Sequence, residues 1–84
     1  MSEKAEFLVK LAVMFGENLR GQPLKGRAVT SKIHTPDGDV FAGDVGVVVL
    51  EDEDGDVWVD FDPDADEIDS IHCFDYSEFE VVEN

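Results

Sequence analysis

No lysine or arginine occurs after Lys32. All six basic residues lie within the first 32 positions, whereas 18 of the 21 acidic residues lie from Asp37 onward. A field this polarised steers cationic partners and repels nucleic acid and anionic membrane. Cysteine is nearly absent as well. Cys73 stands alone, which excludes an internal disulfide and fits a reducing compartment. Long apolar runs are missing: Phe7 to Phe15 spans nine residues and contains Lys10, too short to cross a bilayer. Nothing at the amino end reads as a signal peptide. A soluble, cytoplasmic protein is expected.

The 84 residues allow one small domain, which buries roughly 60–65% of its extended surface. That leaves little room for both a core and a deep cleft, so a non-enzymatic role is expected. A hydrophobic content of 43%, with six Phe, Trp58 and Tyr76, is too apolar for a disordered acidic tail. The net charge of −15 opposes compaction, so salt should stabilise the fold. Adaptation to high internal salt also enriches acid, but it would spread acid along the whole chain.

Ser2 to Asn18 reads as a helix. Ser2 is a cap, and Glu3 and Glu6 favour the dipole of the first turn. Phe7, Leu8, Leu11, Met14 and Phe15 form an apolar stripe at helical period, and Val9, Ala12 and Val13 widen it. Such a helix must pack, either over the following sheet or against its copy in a homodimer. Leu19 to Gly26, LRGQPLKG, reads as a connection. The chain therefore divides into a helical segment (1–20), a linker (21–26) and a β domain (27–84).

The β domain shows five short candidate strands. These are Arg27 to His34, Asp44 to Leu50, Asp56 to Asp62, Ile71 to Phe74 and Phe79 to Val82. A long loop (Thr35 to Gly43) follows the first, and a tight acidic hairpin with Asp54-Gly55 as its turn pair follows the second. Asp75 to Glu78 reads as a single turn. Gly46 marks a bend or a close approach. In the third strand Val57, Val59 and Phe61 point one way, and Trp58, Asp60 and Asp62 the other. This pattern predicts a mainly β fold, a small closed five-stranded barrel preceded by one α-helix. The segments Ala28 to Ile33, Asp44-Val45-Gly46-Val47-Val48, Val57-Trp58-Val59-Asp60-Phe61 and Tyr76 to Val82 carry a resemblance. Over about residues 27 to 82 the chain resembles SH3-like barrels. That group includes the small peripheral photosystem I subunit, the variable chain of ferredoxin–thioredoxin reductase and the nitrile hydratase β-subunit barrel. The resemblance implies a docking or structural part, and binding through surface aromatics such as Trp58 and Tyr76. Such barrels often display basic residues, and this one has none after Lys32.

Trp58 is either an exposed anchor for a basic, partly apolar partner or a ring packed under the helix. The acids Asp52, Glu53, Asp54, Asp56, Asp60, Asp62, Asp64, Asp66 and Glu67 are either solvated loop residues or a surface for such a partner. Asp62, Asp64 and Asp66 have the spacing of a calcium loop. Glu67 then stands where glycine is needed and Cys73 where the bidentate glutamate belongs, so the pattern fails. His34, His72 and Cys73 lack zinc spacing; a fourth ligand would have to be an Asp, in a site made from strand ends. No cofactor, metal or catalytic site is expected. The leading expectation is a protein-interaction or assembly module with an acidic face and no direct nucleic-acid or membrane contact. The alternatives are a DNA-mimic inhibitor of the phage-encoded kind, and a structural subunit that self-assembles through the helix.

Overall fold

In a computed structural model the protein is one helix and a five-stranded antiparallel sheet. The structure describes residues 2–17, 21 and 23–82. The expected helix end at Asn18 and part of the connection lie outside the described residues. Helix α1 spans Glu3–Phe15, and Ser2 caps it through Oγ, which accepts from the Ala5 N–H at 3.1 Å. The strands are β1 (Ala28–Ser31), β2 (Val45–Glu51), β3 (Val57–Asp60), β4 (Ile71–Phe74) and β5 (Phe79–Val81). No helix among the described residues is long and apolar enough to cross a membrane.

The strand order is β4-β3-β2-β1-β5. The expected barrel is not closed, because β4 and β5 are the two edges of the ladder. The chain between them is taken up by a short 3₁₀ helix, Tyr76–Glu78, instead of a strand pairing. A capping box fixes this turn. Asp75 accepts from the Ser77 and Glu78 ends of the turn, and Glu78 Oε1 accepts from the Asp75 N–H at 2.8 Å. The strands are also shorter than expected, since β1 ends at Ser31 and β3 at Asp60.

One residue decides which side chains face which way. Val48 pairs with Val59, but Leu50 pairs with Trp58, so β2 carries a bulge at Val49. The bulge reverses the alternation of β2. Leu50, which simple alternation would set beside Val48, moves to the outer face opposite Trp58. Glu51 moves to the inner face opposite Val57. The inner core holds Val29, Val40, Val48, Val57, Val59, Phe74 and Phe79. Gly46 borders it. A Cβ there would lie 2.6 Å from Val59 Cγ1 and 2.9 Å from the Asp60 carbonyl oxygen, so the expected close approach is real.

The outer face forms a second, smaller core with α1. Leu11 and Leu50 are buried, and the rings of Phe15 and Trp58 meet at 5.3 Å. Burying a side chain such as Leu11 contributes roughly 2 kcal/mol. The helix therefore covers the sheet. Of the expected stripe, Leu11 is buried, Phe7, Leu8 and Phe15 are half-buried, and Met14 is exposed. The inward face is rotated from the expected one, because Lys4 turns in with Leu8, Leu11 and Phe15.

Candidate functional site

The acids of the chain divide into two populations. Asp52 is 1% exposed and Asp60 is 2% exposed. Neither belongs to an exposed binding face. Asp52 Oδ1 accepts from the Asp54 and Asp56 N–H groups at 3.0 and 2.9 Å, and its Oδ2 accepts from Trp58 Nε1 at 3.0 Å. Three donors satisfy the buried carboxylate and shape the hairpin, with Gly55 at φ +88° completing the turn. Trp58 is thus half-buried, roofed by Phe15 and tied to Asp52, as in the alternative that placed it under the helix.

Asp60 Oδ2 forms an ion pair with Lys4 Nζ at 2.7 Å, and Oδ1 accepts from Ser70 Oγ and the Asp62 N–H. Burial pushes the Asp60 carboxyl up, but Lys4 and these hydrogen bonds outweigh it and hold the group below its ordinary value. Lys4 Nζ also donates to the Asp62 carbonyl oxygen at 2.9 Å. Sequence reasoning missed Lys4 as a packing residue. It also missed Glu51, buried at the end of β2, which accepts from Tyr76 Oη at 2.8 Å and the Leu24 N–H at 3.0 Å. A Glu that opens an acidic run gives no sign of this; only the bulge turns it inward.

Tyr76 is half-exposed, and its ring lies 5.8 Å from Phe79. Desolvation and the hydrogen bond to Glu51 push its hydroxyl up to about 12, so it stays a donor. The two proposed aromatic anchors are not brought together. Trp58 and Tyr76 reach the neighbouring carboxylates Asp52 and Glu51 from opposite faces of the sheet. Cys73, on the edge strand, has its thiol pushed up to about 12 by desolvation and by Asp56, Asp52 and Glu78. It is therefore a poor nucleophile.

Of the acids expected to form the binding face, the exposed ones lie at the two ends of α1. At its amino end, Asp66 accepts from the Glu3 and Lys4 N–H groups at 3.3 and 3.2 Å, where the helix dipole favours negative charge. Asp62, Asp64 and Glu67 are exposed in the same loop. At its carboxyl end, the Glu53 N–H donates to the Gly16 carbonyl oxygen at 3.3 Å. Glu53 and Asp54 are exposed there, and Asp56 is half-buried. Desolvation and the Asp52 and Asp54 carboxylates raise the Asp56 carboxyl. The last turn of α1 contains no basic residue. The negative end of the helix and the hairpin carboxylates therefore reinforce each other.

Between these acidic ends, α1 shows Val9, Val13 and Met14 to solvent, the last two 79% and 73% exposed. A groove of about 210 Å³ runs along the helix flank, lined by Leu8, Val9, Ala12, Val49 and Leu50 together with Glu17 and Lys25. The arrangement can accept an apolar side chain beside a cation. Comparison with protein-family models, curated proteins and solved structures found no match to this chain.

Proposed function

We propose that the protein is a non-enzymatic interaction module that docks a basic, partly apolar segment of another protein onto α1. The observation that carries this reading is the carboxyl end of α1. There the helix dipole, Glu53, Asp54 and Asp56 add up with no basic residue in the last turn, next to exposed Val13 and Met14. A lysine or arginine of the partner would sit at this end, and its apolar neighbours would cover the valines or enter the flanking groove. The module is read as SH3-like in strand arrangement, with its sheet left open between β4 and β5. Support comes from the strand order, with β5 beside β1, and from the single 3₁₀ turn before the last strand.

Self-assembly through α1 is disfavoured by the same charges. Laying two helices side by side would set acidic loop against acidic loop in either direction. A phosphate mimic would need the carboxylates but not the exposed apolar stripe.

The test is a paired capture from native lysate with the wild-type protein and the Glu53→Lys/Asp54→Lys variant. A partner is expected that the wild type holds in near-stoichiometric amount, that moderate salt releases and that the variant loses. Equal retention by both proteins would overturn the reading. Displacement of the partner by duplex DNA would replace it with the DNA-mimic reading. A mass that doubles as salt is added would replace it with self-assembly.

A further inference from the structure

The long loop between β1 and β2 is closed on itself around Thr35. Its N–H donates to the Val40 carbonyl oxygen at 2.9 Å, and its Oγ1 donates to Asp37 Oδ1 at 2.6 Å and accepts from the Val40 N–H at 3.0 Å. The Asp39 N–H also donates to Asp37 Oδ1, at 3.1 Å. Val40 is 1% exposed and belongs to the inner core with Val59 and Phe74. This plug fixes the turn and sets Asp37 and Asp39 against the edge strand β4.

His72 meets them there. Its partner across the sheet is Val59, which places it on the inner face, and its ring lies 6.2 Å from Phe61. Its Nε2 is shielded from solvent and has no hydrogen-bond partner among the described residues. Asp39 Oδ2 lies 4.0 Å away, too far for a hydrogen bond. One ligand atom from each of Asp37, Asp39 and His72 lies within 4.8 Å of the others. A direct imidazolium–carboxylate pair closes to under about 3 Å. Ligands around a tetrahedral zinc ion with bonds near 2.0 Å stand roughly 3.3 Å apart, so the observed gap is closer to a span across an ion.

We propose that Asp37, Asp39 and His72 form a binding site for a divalent transition-metal cation of the zinc type, with solvent completing the coordination. The two carboxylates supply charge. The imidazole selects a borderline ion over magnesium or calcium, which prefer oxygen alone. This separates the site from the diffuse attraction that the exposed acids elsewhere in the chain exert on cations. Binding would fasten the β1–β2 loop to the open edge of the sheet.

The experiment is calorimetric titration of the whole protein with ZnCl₂, paired with ¹⁵N spectra of its histidines. One equivalent is expected to bind and to shift the His72 Nε2 resonance, with MgCl₂ producing no such shift. Because His72 borders the core, the deciding variant is Asp39→Asn at an exposed position. It should weaken Zn²⁺ binding at least ~10-fold, while Asp64→Asn, in the other acidic loop, leaves it unchanged. An Nε2 resonance that responds to pH but not to Zn²⁺ would overturn the proposal, and so would equal weakening by the two variants.

Discussion

Asp52 and Asp66 each accept hydrogen bonds from more than one N–H group, and they differ in where those donors come from. Asp52 collects donors from its own hairpin, at Asp54, Asp56 and Trp58. Asp66 collects them from the opposite end of the chain, at Glu3 and Lys4. Asp52 is buried by this and Asp66 stays exposed. An acid wrapped by local donors becomes part of the fold. An acid that reaches across to a helix end holds the helix while keeping its charge in water. The hairpin and the loop look alike in composition, and their carboxylates are not interchangeable.

The contrast can be broken most sharply at Lys4. Lys4→Ala leaves Asp60 buried without its cation, and a loss of about 3 kcal/mol in urea unfolding is expected. The acid limb should change with it. The Asp60 carboxyl is held low, so its contribution is present above the unfolded value near pH 4 and disappears as pH falls through the folded value. That step should vanish in the variant. A loss below about 1 kcal/mol would show that the ion pair does not hold the helix.

Asp52→Asn tests the hairpin at a smaller scale. The amide has one acceptor oxygen where the carboxylate has two, so an N–H of Trp58 or of the hairpin backbone must face an NH₂ group. A cost of about 1–3 kcal/mol is expected from the unsatisfied donor. The weakest effect belongs to the exposed acids. Neutralising Asp54, Asp64 and Glu67 together should leave stability in low salt unchanged or raised by up to about 0.5 kcal/mol. It should also flatten the rise of wild-type stability with NaCl. Destabilisation equal to that of Asp52→Asn would erase the distinction between the two populations.

Much of the fold was legible because its signals are local. The Ser2 cap, the strand Ile71–Phe74 and the turn after Asp75 all rest on neighbouring residues, and each appears where the pattern placed it. The hairpin turn is shifted by one residue, centred on Glu53-Asp54 and closed by the Gly55 N–H donating to the Asp52 carbonyl oxygen. The roles of Lys4 and Glu51 were not legible. Lys4 faces inward only because Asp60 and the Asp62 carbonyl wait under the helix, more than fifty residues along. Glu51 faces inward only because of the extra residue at Val49, and nothing in the run GVVVLE marks which valine is the extra one. The grouping of Asp37, Asp39 and His72 depends on Val40 entering the core from a loop, which strand periodicity does not register.

The position of Trp58 has a practical consequence. It is the only tryptophan in the chain, and its indole sits where helix, hairpin and sheet meet, against Phe15 and bonded to Asp52. Lifting α1 away would bare the ring to water while the inner core stayed closed, and would move its emission to longer wavelength. Near-ultraviolet fluorescence of the unlabelled protein thus separates release of the helix from collapse of the sheet.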